Sequence, residues 1–129
     1  MKYLISLTIL VSLWGQAFAV GLGDIDLESR LNQRFSAQIP VLVDAETDAV
    51  DISVRLADTA YFERAGLKKN LTVIGLTFEP MRLNEEQMVI KVRSNNVVRE
   101  PMVSFILEVE HKGLRSMREF TALLETPVH

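Results

Sequence analysis

The stretch from Val97 to Pro127, VVREPMVSFILEVEHKGLRSMREFTALLETP, decides the fold. Val103, Phe105, Leu107 and Val109 alternate with Met102, Ser104, Glu108 and Glu110, the period-2 pattern of a strand with one buried face. A two-residue turn at Lys112-Gly113 then folds a second strand back on the first. That turn sets Phe105 opposite Phe120, Val103 opposite Ala122 and Glu110 opposite Arg115. Aromatic and opposite-charge cross-strand pairs are each worth roughly 0.2–1 kcal/mol. A slip of one residue would place Phe105 against Thr121 and Leu107 against Glu119, so the hydrophobic pattern selects the first register.

Working outward, the chain opens with a segment that is not part of the fold. Lys2 is a positive n-region, Leu4 to Leu13 an apolar h-region, and Ala17-Phe18-Ala19 a small-x-small site, which predicts a signal peptide over 1–19 cleaved after Ala19. The apolar run is about half of the roughly 20 residues that span a bilayer. The absence of cysteine after it excludes a lipid anchor. The expected mature chain, 20–129, has the size of one domain and carries no transmembrane segment. Lys2 leaves with the leader, so 13 basic side chains face 17 acidic ones, a formal charge of −4. That balance argues against nucleic acid, which requires clustered positive charge. With no cysteine anywhere, the exported domain rests on an apolar core rather than disulfides.

Further strands follow from alternation: Asp24–Leu27, Arg34–Val43, Val50–Ala57, Leu71–Glu79 and the segment around Met88, Ile90 and Val92. Arg34–Val43 is expected to pair with Val50–Ala57 and, because Pro40 lacks an N–H, to lie at an edge or bulge there. Asp58–Leu67 is the one helical segment, with Asp58 as N-cap and Gly66 in the left-handed position after the last turn. Tyr61 and Phe62 are read as core packing over a sheet end rather than as a ligand stack. Pro80–Gln87 is a polar connection. About seven strands and one short helix predict an all-β, antiparallel two-sheet β-sandwich of immunoglobulin-like architecture; a small closed barrel is the alternative.

The chemistry-bearing inventory is thin. Asp44, Glu46 and Asp48 hold the first, third and fifth positions of a calcium loop, but Ala49 stands where glycine is needed and Arg55 where glutamate is needed, so this is a solvated acidic turn. His111 lies beside the hairpin turn and His129 ends the chain, with no triad geometry implied for Ser104 or Ser116. No catalytic residue, cofactor site or metal site is assigned, and the chain is expected not to be an enzyme. Arg99, Glu100, Arg115, Arg118 and Glu119 cluster on the hairpin and its approach. They form either a solvated face with gatekeeping charges or a partner-binding face. Arg118 falls opposite Leu107 on the side that otherwise looks buried. It either pairs internally with Glu100 or marks a face that meets a partner. Arg99, Glu100 and Arg118 are the candidate interaction residues.

The succession LGDIDLESRLNQRFSAQIPVL, ISVRLADTAYFERAGL and VREPMVSFILEVEHKGLRSMREFTALL resembles the N-terminal periplasmic domain of the FimV (TspA-like) family. The likeness rests on Leu22, Gly23, Ile25, the LNQ of Leu31 to Gln33, the VRLA of Val54 to Ala57, Phe62, the AGL of Ala65 to Leu67, the REP of Arg99 to Pro101, Phe105, and Arg118 to Phe120. It covers essentially the whole mature chain. Membership implies a periplasmic part of an inner-membrane protein of type IV pilus assembly, twitching motility and cell-pole organisation. The larger members continue with a peptidoglycan-binding LysM module, a transmembrane helix and an acidic cytoplasmic region. This sequence stops at Thr126 to His129, so peptidoglycan binding is not expected. The implied function is a non-enzymatic periplasmic interaction module whose partner is a periplasmic or inner-membrane envelope protein. The alternatives are a chaperone-like sandwich that pairs its edge strand (the Pro40 strand or Asp24–Leu27) with exported subunits, and a small sugar-binding or hydrolytic domain.

Overall fold

The computed structural model describes residues 20–127. The expected leader with its Ala17 and Ala19, and His129, lie outside the described residues. Two antiparallel sheets face each other. The first contains β1 (Gly21–Leu22), β2 (Asp26–Leu27), β3 (Gln33–Leu42), β5 (Leu76–Arg82) and β6 (Met88–Val98), ordered β1-β3-β6-β5 with β2 also on β3. The second contains β4 (Ser53–Leu56), β7 (Met102–His111) and β8 (Leu114–Leu123), ordered β4-β7-β8. A 3-10 turn (Ala49–Asp51) and two short helices, α1 (Thr59–Arg64) and α2 (Leu71–Ile74), complete the chain.

The β7–β8 hairpin has the expected register, with Phe105 opposite Phe120, Val103 opposite Ala122 and Glu110 opposite Arg115. Lys112 and Gly113 both take positive φ (54° and 79°), the mirror-image turn whose twist matches the strands it joins. The inward residues of β7 and β8 meet those of β3 and β6 in one core. Phe105 stands at its centre, its ring centroid 5.7 Å from that of Phe120 on the same sheet and 5.7 Å from that of Phe78 on the other. Phe62 is fully buried with Val73, so α1 and α2 each insert one side chain into the core.

Five expectations need correction. Arg34–Val43 does not pair with Val50–Ala57: β3 pairs with β6, while β4 pairs with β7 in the other sheet. The connection between β3 and β4 therefore crosses the sandwich, which lets Val54 and Leu56 face the core from the opposite side. The Pro40 strand is also not an open edge, since β1 and β2 lie on its outer side. The Gly23 N–H donates to the Pro40 carbonyl at 2.9 Å, so the missing N–H of Pro40 falls in the gap between β1 and β2. The bulge lies elsewhere, between Arg34 and Ser36.

Leu71–Ile74 is a helical turn instead of strand, because Asn70 Oδ1 accepts the Val73 N–H (3.0 Å) and the backbone is already extended at Asn70. Strand β5 begins at Leu76 and continues through Pro80 to Arg82, so the polar connection shortens to 83–87. Asp58 occupies the N-cap of α1 but its side chain accepts no capping bond. Its Oδ1 takes Arg55 Nη1 at 3.5 Å instead. The helix does end as expected, with Gly66 at φ 74° and the Leu67 N–H returning to the Phe62 carbonyl at 2.9 Å.

Candidate functional site

Arg118 is half-buried and tied to the N-terminal segment. It lies opposite Leu107 on the inward face of β8, where its Nη1 donates to the Leu22 carbonyl at 2.7 Å and its Nη2 to Asp24 Oδ1. Two residues before it, Ser116 Oγ donates to the Val20 carbonyl at 2.6 Å. The N-terminal segment thus crosses from β3 to β8 and closes one side of the sandwich. Arg118 does not pair with Glu100, which corrects one expectation and accounts for an arginine on a buried face. Its partners lie at Leu22 and Asp24, far away in sequence, so nothing local to the hairpin could reveal them. Arg118→Ala is expected to lower stability by about 1.5–2 kcal/mol, the low end for a charged hydrogen bond because the side chain is 40% exposed. Urea denaturation would read this as a lower midpoint.

On the outer face of the same sheet, Glu108 is buried at 3% exposure. Arg55, its cross-strand partner on β4, donates from Nε and Nη2 to Oε2 at 3.1 and 2.8 Å. Arg115 approaches Oε1 at 3.7 Å, and that oxygen has no hydrogen bond among the described residues. The hydrogen bond and charge of Glu108 hold the Arg55 guanidinium above its ordinary pKa, opposed by partial burial and helped by Asp58. Sequence reading missed this cluster because it assigned β4 to the wrong neighbour.

Arg99 and Glu100 lie in the turn between β6 and β7, Arg99 exposed and Glu100 half-buried, and neither has an ion pair or hydrogen bond among the described residues. The strand registers show what shares their end of the sandwich. The starts of β5 and β7 and the ends of β6 and β8 meet there, as the pairs Leu76–Ser94 and Met102–Leu123 record. Five of the large apolar side chains exposed among the described residues belong to this end: Leu71, Ile74, Val97, Met102 and Leu123. Leu71 and Val97 face a groove of about 310 Å³ between α2 and the end of β6. Backbone bonds brace the surface: Leu31 N–H to Glu125 O, Asn32 N–H to Val98 O and Leu124 N–H to Pro101 O, each 2.8 Å. Arg118 lies five residues up β8 from Leu123, about 17 Å along the strand. The structure therefore separates Arg118 from Arg99 and Glu100.

The residues weighed for chemistry are engaged in structure. Ser104 Oγ and Thr121 Oγ1 share a hydrogen bond at 3.0 Å across the hairpin, and Ser116 is taken by Val20. His111 pairs with Leu114 at the turn. In the acidic turn, Asp44 accepts from Thr47 Oγ1 at 2.8 Å, which with backbone donors holds its carboxyl below the ordinary range. Arg82 Nη2 ties the same turn down through the carbonyls of Asp44 (3.1 Å) and Thr47 (2.6 Å). Among the described residues, no three metal-ligating side chains of the His, Cys, Asp or Glu type come together.

These features define a small immunoglobulin-like β-sandwich that gathers five of its exposed apolar side chains at one braced end, with Arg99 and Glu100, which have no ion pair or hydrogen bond among the described residues. Residues 20–127 match the family of the FimV N-terminal domain, an Ig-like domain, and the chain belongs to that family. It is 33% identical over 115 residues to the motility hub protein FimV of Pseudomonas aeruginosa PAO1, and equally to that of strain UCBPP-PA14. The match covers 89% of this chain but 12% of each relative's length. No solved structure matches the chain.

Proposed function

We propose that this domain is a non-enzymatic periplasmic interaction module that docks an envelope protein of a motility or pilus-assembly complex. The observation that carries the reading is the grouping of Leu71, Ile74, Val97, Met102 and Leu123 with Arg99 and Glu100 at one end of the sandwich. Exposed apolar side chains beside charged groups free of internal partners are what a protein-binding surface presents. The braces around Leu31, Asn32 and Leu124 favour the same use, since a surface already ordered loses less entropy on binding. The leader-like sequence at 1–19 supports export, and the relatives' description as motility hub proteins supports a role in gathering partners.

The test is to express the full chain with an affinity tag in its own host, crosslink the cells and identify what co-purifies. The expected result is one envelope protein, recovered equally well with Arg118→Ala because Arg118 points inward. Recovery of no specific protein, together with normal motility in a deletion strain, would count against the reading.

A further inference from the structure

The open sides of the two sheets are treated unequally. Strand β5 is blunted by Pro80: the Leu83 N–H to Gln87 carbonyl bond sets the hydrogen-bond alternation, and the missing N–H of Pro80 then faces the free side. Strand β4 has four residues, and β1 and β2 have two each. Strand β8 is different. It runs ten residues with no proline and no break in its register against β7, and among the described residues no strand pairs with its other side, which residues 20–24 reach only through the Ser116 and Arg118 side chains.

The register also says which groups are free. In a two-residue hairpin the residues flanking the turn, His111 and Leu114, form the closing hydrogen-bonded pair, and the pattern alternates from there. The Leu124 N–H to Pro101 carbonyl bond continues the same alternation at the far end. The N–H and C=O groups of Arg115, Met117, Glu119, Thr121 and Leu123 therefore point away from β7. Their side chains are the exposed ones on the outer face.

We propose that β8 pairs with β8 of a second copy of this chain, antiparallel about a two-fold axis at Met117, joining the two three-stranded sheets into one of six. Charge selects the copy and the register. With the axis at Met117, Arg115 lies opposite Glu119 of the second copy, and the symmetry repeats that pair on the other side. Moving the axis by one residue toward the C-terminus sets Arg118 against its own copy, and by two residues sets Glu119 against Glu119. Moving it by one residue toward the turn sets Arg115 against Met117 and leaves no opposite-charge pair, and by two residues sets Arg115 against Arg115. Like charges directly opposite are unfavourable in a sheet, whereas opposite charges are favourable. Glu119 has no hydrogen bond or ion pair among the described residues, and Arg115 makes only the 3.7 Å approach to Glu108, so both are available. Alternating charges that repel a mismatched strand match a second β8. This surface is distinct from the end proposed to dock an envelope protein, so either proposal can fail alone.

The test uses the full chain expressed in exporting cells, purified and followed by sedimentation over a range of concentration. The wild type is expected to approach twice the monomer mass. Glu119→Arg is expected to raise the concentration needed for association at least tenfold. Mixing Glu119→Arg with Arg115→Glu chains should restore it, since the mixed pair recovers both opposite-charge contacts; thermal melts confirm that each variant is folded. In a chain without cysteine, Met117→Cys is expected to form a crosslinked dimer under mild oxidation. Residues paired across the axis have Cα atoms about 5.5 Å apart, within disulfide reach. Thr121→Cys should not crosslink, because two copies of that position lie about 27 Å apart in this register. A wild type that stays monomeric throughout, a dimer indifferent to Glu119→Arg, or equal crosslinking from Thr121→Cys would each overturn the proposal.

Discussion

Phe105→Ala is expected to lower the unfolding free energy by about 3–5 kcal/mol, the range for removing a buried phenylalanine. Phe105 is fully buried at the centre of β7 and is the ring that touches both Phe78 across the sandwich and Phe120 beside it. Removing it leaves a void that neither flanking ring can close without leaving its own strand. Domains of this size are stable by about 5–15 kcal/mol in total, so the variant should sit near the edge of folding. Urea denaturation against Val50→Ala, a side chain 80% exposed, is the appropriate comparison, and that control should move stability by no more than about 0.5 kcal/mol. A loss below about 1 kcal/mol for Phe105→Ala would mean that the two sheets do not meet at these rings.

The second large effect concerns binding. Met102→Lys combined with Leu123→Asp is expected to reduce recovery of the proposed envelope partner by about 30-fold or more, the loss that follows when a central apolar contact worth about 2 kcal/mol is removed. The two side chains face each other across the hairpin and are 59% and 68% exposed, so neither supports the core. Introducing opposite charges keeps the cross-strand pair favourable, and the melting temperature should stay within a few degrees of wild type. Quantitative recovery after crosslinking, alongside a thermal melt, separates lost binding from lost folding.

The hairpin was legible residue by residue because a two-residue turn and a period-2 pattern leave a single register that buries Phe105, Leu107 and Phe120. The sandwich followed from the same alternation in the other strands. Sequence order misled at β3 and β4: neighbours in the chain often pair, but here the connection crosses between sheets, and alternation does not say which sheet a strand joins. Leu71–Ile74 is too short for a period of 2 to be told from one of 3.6, and the cap at Asn70 decided it. At the candidate site, Arg99 and Glu100 fall in the turn between β6 and β7 rather than on a strand face, Arg99 exposed and Glu100 half-buried. Arg118 was singled out for the right reason, an ion on an inward face, but its partners are Leu22 and Asp24 at the other end of the chain. The Arg55–Glu108 pair stayed hidden for the same reason, since it depends on which strand lies beside β7.

Docking at one end of the sandwich has a direct test. Site-specific photocrosslinking in living cells tests it most directly, with the reactive group placed in turn at Arg99, Met102, Leu123, Leu83 and Lys112. The first three lie at the Arg99 end, and the last two lie in the turns at the opposite end. Crosslinks to one envelope protein from Arg99, Met102 and Leu123, and none from Leu83 or Lys112, are the expected result. Crosslinks confined to Leu83 and Lys112, or none from any position, would contradict it.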